Sequence, residues 1–419
     1  MKQFVRGLFV AVLLASAGGC FWPAPGAGPS RQAFNPFETA ITPDTVGSLE
    51  RAWVANTDDG SANAPVVSRA GVHTTSGLSV YGFNTSTGAR MWKVDLSSLP
   101  AALPVVGHSI ADGDQLITSN GTVNFGGSYT TTLRNPATGA GTGSPGPSGL
   151  LDSVRGSTLA VEQLGFRSPG AFFFSISVFD RADSTRRWSG LIDAWATGSS
   201  AGGGDLSLGT NAVYQAGFGT NVGPPAARGN GLRAYPLTPP TACPPPVDLA
   251  LCPTWSTLLD GTTSTAPVLG DSEQSIFTGT DAGTVYAVNG STGAIQWSVP
   301  VGAAVTDSPA LANGSLYVPT ADGDLVVLDA ATGATQWTAL TGSRIGVQPA
   351  VAGGVVFTGS DNGSVQAFNA AGCGSAVCGS LWSDSTGTAA ITGDPAVNQG
   401  QLYVGTSDSR LIAYRLPAD

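Results

Sequence analysis

Any chemistry in this chain would have to come from a small stock of reactive side chains. Among 419 residues there are five Cys, two His (His73 and His108) and four Glu (Glu38, Glu50, Glu162 and Glu273), so the net charge of −10 rests almost wholly on Asp. A hydrolytic triad needs a histidine beside its nucleophile, and no Gly-x-Ser-x-Gly turn is found with suitable His and acid partners. Asp112-Gly-Asp114 and Asp322-Gly-Asp324 resemble fragments of calcium loops. A hard cation wants several more convergent oxygens than either continues with, and hairpin corners account for both. Gly141-Thr-Gly143-Ser-Pro-Gly146 satisfies the letter of a dinucleotide loop, yet Pro145 and the lack of a following helical segment make it a turn. Asn84, Asn289 and Asn362 open glycosylation-type triplets, which their turn positions already explain. The expectation is therefore no catalytic residue and no metal site.

The first twenty residues form a separate object. Lys2 and Arg6 give a basic start, Leu8 to Ala17 an apolar stretch too short to span a bilayer, and Gly18-Gly19-Cys20 a small-residue cleavage context, as in an export signal. Ala17-Gly18-Gly19-Cys20 resembles the bacterial lipobox, with Ala where Leu is usual, and the resemblance implies a diacylglyceryl group on Cys20. Removing Cys20 leaves two close pairs, Cys243 with Cys252 and Cys373 with Cys378. In an exported chain these read as two disulfides, with metal pairs the alternative, although too few His are present to complete such sites. Residues 21–47, rich in Pro, Gly and Ala without periodicity, read as a tether holding a domain off a membrane. An acidic chain whose only lysines are Lys2 and Lys93 excludes nucleic acid as a partner.

With 58 Gly, 28 Pro and 11% charged residues, the composition suits many short strands and tight turns. The order behind it is a repeat. Ala287-Val-Asn-Gly-Ser-Thr-Gly293-Ala-Ile-Gln-Trp297 returns forty residues later as Val327-Leu-Asp-Ala-Ala-Thr-Gly333-Ala-Thr-Gln-Trp337, and earlier as Gly82-Phe-Asn-Thr-Ser-Thr-Gly88-Ala-Arg-Met-Trp92. Each repeat reads as four strands. From Ser308 the chain gives a short inner strand, an Asn313-Gly314 turn, a strand over Ser315–Thr320, an Asp322-Gly323 turn, a strand over Asp324–Leu328 and a last strand centred on Trp337. Such a meander cannot cover both of its faces alone, so radial packing into a propeller is expected.

Last strands fall at Trp92, Gly143, Trp188, Trp255, Trp297, Trp337 and Trp382, and the final meander stops short of its own Trp. Ser48-Leu-Glu-Arg-Ala-Trp53-Val has the character of the missing strand. The expectation is an all-β, eight-bladed propeller of four-stranded antiparallel blades over residues 48–419, closed by its N-terminal strand. Seven blades is the competitor, because Ser189 to Trp255 is long and degenerate. Asn221 to Pro253, with its proline clusters, and the apolar run Ala171 to Ile176 stand outside the regular pattern as candidate contact regions.

The phrase Ala-x-Asp/Asn-x-x-Thr-Gly-x-x-x-Trp resembles the tryptophan-docking motif of the PQQ-repeat superfamily, which includes quinoprotein alcohol dehydrogenases and the BamB-like assembly lipoproteins. The resemblance implies that Trp53, Trp92, Trp188, Trp255, Trp297, Trp337 and Trp382, with Gly88, Gly293 and Gly333, dock one blade on the next. Quinoprotein dehydrogenases of this kind hold pyrroloquinoline quinone (PQQ) over the axis beneath a disulfide between adjacent cysteines, with Ca²⁺ or a lanthanide alongside. No adjacent Cys pair and no carboxylate cluster for that arrangement is found here. The sequence thus points to a lipid-anchored, exported, monomeric and non-catalytic platform that binds envelope proteins and needs no cofactor. A PQQ- and Ca²⁺-dependent alcohol or sugar dehydrogenase and a carbohydrate-binding propeller are the alternatives.

Overall fold

The repeat meanders close into a ring of eight sheets in a computed structural model. It describes residues 22–96, 103–106, 109–112, 114–123, 128–145, 150–168, 171–196, 203–219, 229–238, 253–263 and 265–418. Blade 6 shows the pattern: Ala310–Ala312 innermost, then Ser315–Pro319, Asp324–Asp329 and Thr335–Leu340 outermost, each antiparallel to the last. Leu325 to Leu328 are all buried because the middle strands lie between two neighbouring blades, whereas the outer strand alternates exposed and buried. Blades 5 and 7 repeat this around Val268–Leu269 and Ala350–Ala352. The degenerate stretch from Ser189 to Trp255 resolves as the rest of the last strand of blade 3, Arg186–Ala196, and as blade 4, whose last strand is Trp255–Leu258; blade 2 ends before it at Gly141–Pro145. The ring therefore has eight blades and not seven.

The N-terminal strand closes the ring. Glu50–Asn56 pairs antiparallel with Arg410–Arg415, Trp53 opposite Ala413, and so completes blade 8 beside Gln401–Thr406 and Ile391–Asn398. Closure removes the two sheet edges that an open array would expose. Blade 1 follows directly, from Val66–Val67 to Arg90–Asp95.

Two local expectations change. Asn313 and Gly314 both have positive φ, as a two-residue hairpin requires, but at Asp322-Gly323 only Gly323 does. That corner is longer on its N-terminal side, running from Thr320 to Gly323 between Pro319 and Asp324: the Thr320 hydroxyl bonds the Asp322 carboxylate at 2.6 Å and accepts the Asp324 N–H at 2.9 Å. Thr406 and Asp408 repeat the device in blade 8. The second change concerns residues 21–47. From Trp22 onward this segment is folded against the ring instead of standing off as a tether: Trp22, Ala33, Ile41 and Val46 are buried, and Phe34–Asn35 pairs in parallel with Val351 and Ala352.

Of the two expected disulfides, one is present among the described residues. Cys373 and Cys378 are bonded, with Cα atoms 5.6 Å apart. The loop they close lies along the outer edge of blade 6, where Thr338 N–H bonds the Ala376 carbonyl and Cys378 N–H bonds the Thr338 carbonyl. The other expected pair, Cys243 with Cys252, lies outside the described residues. Residues 1–21, including Cys20, and most of Asn221 to Pro253 also lie outside the described residues. The apolar run from Ala171 begins the strand Ala171–Asp180, which is paired on both edges within blade 3. Among the described residues no helix is long and apolar enough to cross a membrane.

Candidate functional site

The innermost strand of each blade borders the axis and has one edge with no neighbour in its own sheet, so its N–H groups need acceptors from elsewhere. Residues 22–35 supply them in blade order. Val67 donates to the Trp22 carbonyl (2.7 Å) in blade 1, Ala111 to Pro23 (2.6 Å) in blade 2, and Leu208 to Pro29 (3.0 Å) in blade 4. Leu269 then donates to Ser30 (2.9 Å), Leu311 to Gln32 (2.8 Å) and Val351 to Ala33 (2.8 Å), in blades 5, 6 and 7. Side chains make the remaining two links: Arg155 of blade 3 donates to Ser30 Oγ at 2.5 Å, and Asn35 Nδ2 donates to Val397 O of blade 8 at 2.9 Å. One strap thus runs once around the inner rim.

Its composition suits that path. Prolines at positions 23, 25 and 29 offer carbonyls while carrying no N–H of their own to satisfy. Gly26 turns the strap at φ +63°, where a Cβ would sit 3.0 Å from Arg31 Cα and 2.9 Å from Gln348 Oε1. Gln348 clamps the middle by donating both to Arg31 O (2.8 Å) and to Pro309 O (2.9 Å). The buried Glu38 carboxylate fixes the far end, accepting the N–H groups of Ala40, Ile41 and Gly400. A cavity of about 210 Å³ remains between the strap and blades 2 and 3.

Larger clefts open between blades on the same face: about 500 Å³ beside Tyr214 and Trp255, about 870 Å³ beside Tyr317 and Trp337, and about 320 Å³ beside Tyr403 and Thr85. The tyrosine holds the same place in each blade, so these clefts are products of the repeat rather than one specialised site. Burial pushes the Tyr214 and Tyr317 hydroxyls up to about 12, and Tyr403 upward too. They remain neutral donors; Tyr317 O–H bonds Ala370 O at 2.9 Å. His73 is fully buried, its pKa lowered to about 3 by desolvation, and stacks on Trp92 with ring centroids 5.5 Å apart. It cannot reach a substrate as a general base.

The donor set that a quinone–metal centre needs can be tested directly. Among the described residues no three of His, Cys, Asp and Glu converge on one point. The chain has no adjacent cysteines, and the inner-strand N–H groups that a ligand on this side of the axis would meet are already bonded to the strap.

The tryptophans sit between blades. The indole N–H of Trp53 bonds Thr85 O (2.8 Å), Trp92 bonds Pro136 O (2.8 Å), Trp255 bonds Gly290 O (2.9 Å) and Trp297 bonds Ala330 O (3.1 Å), each in the following blade. The glycine of the following turn lies under the ring, namely Gly88, Gly139, Gly293 and Gly333 in the same order, and Gly372 lies under Trp337. Trp382 bonds Leu49 O (3.0 Å), just ahead of the closing strand. Trp188 is buried at the seam between blades 3 and 4. Sequence reasoning found these positions and missed the strap. Its available signal was the set of large apolar residues, Trp22, Ile41 and Val46, in a segment otherwise fit for a linker.

These features define the class: an eight-bladed β-propeller whose blades dock through Thr-Gly turns and tryptophans. Residues 252–417, the last strand of blade 4 and blades 5 to 8, match the family described as "Outer membrane protein assembly factor BamB". No curated protein matches the chain. Among solved structures the chain is similar to quinohemoprotein alcohol dehydrogenase from Comamonas testosteroni, at 14% identity and TM-score 0.70, over 96% of this chain and 81% of that one. It is also similar to a europium-containing methanol dehydrogenase (13%, TM-score 0.69, 94% and 98%) and to BamB from Moraxella catarrhalis (17%, TM-score 0.58, 88% and 99%). At such identities the likeness is one of fold. The chain is an eight-bladed β-propeller, and its family match is confined to residues 252–417.

Proposed function

We propose that this chain is an exported, lipid-anchored and non-catalytic propeller that serves as a binding platform for proteins of the cell envelope. The observation that supports the reading best is the strap, which takes up the rim N–H groups of the inner strands. The buried neutral His73 and the absence of a converging donor set among the described residues point the same way. Full-length protein extracted in mild detergent is expected to co-purify with envelope proteins and to carry no quinone. Bound PQQ together with alcohol-dependent reduction of an artificial electron acceptor would overturn the reading. The similarity to two dehydrogenase structures, with TM-scores above that for BamB, favours the competing dehydrogenase reading, and the same quinone analysis decides between them.

A further inference from the structure

We propose that the strap face of the ring rests on a lipid surface along the sector of blades 7, 8 and 1, with the opposite face turned away. The inference rests on reading Cys20 as a lipid attachment site, and deepens the platform reading by giving the platform an orientation.

The first argument is reach. Twenty-seven flexible residues between an anchor and a domain would span roughly 28 Å on average. Here that length is used up on the rim: Trp22 is buried with its carbonyl held by Val67 of blade 1. Two residues of extended chain cover at most about 7 Å. Acyl chains on Cys20 would therefore leave the protein at the rim of blade 1, with no slack for the ring to stand off or tumble.

The second argument is the surface beside that exit. Phe37 is 68% exposed, the most exposed large apolar side chain among the described residues. It is held on the strap face because its N–H bonds Asn35 Oδ1 at 3.0 Å and the next residue, Glu38, is tied to Gly400 of blade 8. A fixed, solvent-facing phenyl next to a lipid anchor is suited to the interface between headgroups and acyl chains. The exposed Arg69, at the corner that follows Val67, adds a cation for anionic headgroups.

The third is charge. The opposite face carries the aspartate corners of the repeat, Asp281, Asp322, Asp361 and Asp408; Asp361 and Asp408 are ion-paired with Arg344 and Arg410, while Asp281 and Asp322 add negative charge that anionic headgroups repel. In the sector of blades 7, 8 and 1 the strap-face corners 68–71, Gly353-Gly354 and Gln399-Gly400 carry Arg69 and no carboxylate, and the exposed acids nearby are Asp44 and Glu50.

The test uses the full-length lipidated protein in vesicles of phosphatidylethanolamine and phosphatidylglycerol. A spin label is placed by Ser86→Cys, on an exposed strap-face turn of blade 1, or by Asp361→Cys on the opposite face. The mass of the N-terminal peptide reports the acyl group. With the group present, the label at 86 is expected to be relaxed several-fold more by membrane-dissolved oxygen than by an aqueous nickel chelate, and the label at 361 the reverse. Phe37→Ser should shrink the difference at 86 without altering the acyl mass. Equal accessibility of both labels in acylated protein would overturn the orientation alone; an unmodified Cys20 would overturn the anchor reading and the orientation with it.

Discussion

Gly333 lies directly beneath the indole of Trp297, and a Cβ added there would come within 2.8 Å of Cε3. The same residue has φ +75°, so two independent costs meet at one position. Gly333→Ala is expected to destabilise the protein by about 1–2 kcal/mol for the left-handed backbone and about 1–3 kcal/mol for overpacking. Gly342→Ala, at φ +81° with nothing near its Cβ, should show the backbone cost alone. Urea denaturation of the two variants separates the terms; equal losses would mean that the indole does not press on the turn.

Acid should weaken blade 1 through His73. Its folded pKa, about 3, lies below the unfolded value of about 6.5, so the folded state excludes a proton that the unfolded chain takes up. The contribution is fully present above pH 6.5 and is lost as pH falls towards 3, at about 1.4 kcal/mol per pH unit. His73→Gln should flatten the stability profile between pH 6.5 and 4, measured by denaturant unfolding at each pH.

The closing strand responds at lower pH. Burial pulls the Asp384 carboxyl up, but hydrogen bonds from Arg51 of the closing strand and from Tyr414 (2.9 Å) outweigh it and leave the pKa below the ordinary value. A depressed carboxylate stabilises the fold above its unfolded pKa, and this is lost as pH falls through the folded pKa. Asp384→Asn should remove the acid-dependent step below about pH 4, read as amide exchange in Glu50–Asn56.

Gln348 ties the strap to two carbonyls while almost wholly buried. Gln348→Leu deletes both bonds and leaves both oxygens unpaired, so a loss of about 2–4 kcal/mol is expected. Exchange should quicken at Leu311 and Val351, beside the clamp, before it does at Val404 in the second strand of blade 8. Uniform quickening would make Gln348 a general core residue and not a clamp.

The ring was legible because both partners of each docking pair are side-chain signals at fixed spacing. Asn289 Oδ1 takes the N–H and hydroxyl of Thr292, Gly293 follows with positive φ, and Trp297 lies four residues on. That grammar survives wear, and blade 2 keeps its place with Gly143 where others have Trp. Cysteine spacing was a thinner signal. It located the bond between Cys373 and Cys378, while the pairing expected of Cys243 with Cys252 falls outside the described residues. The strap was illegible for a different reason. It binds mostly through carbonyls, which every residue possesses, and prolines that suit a rim without spare acceptors equally suit a loose linker. The Asp322-Gly323 corner failed at a finer scale: the pair marks a turn, but the Thr320 hydroxyl sets its length.

Amide hydrogen exchange of the full-length protein tests the central claim most directly, because the account makes the strap part of the folded ring. Val67, Leu208, Leu269, Leu311 and Val351 donate only to strap carbonyls across the rim. They are predicted to be protected to the level of the middle strands and to open together as one unit. Rapid, independent exchange at these five amides, with the middle strands still protected, would show an unoccupied rim and contradict the account.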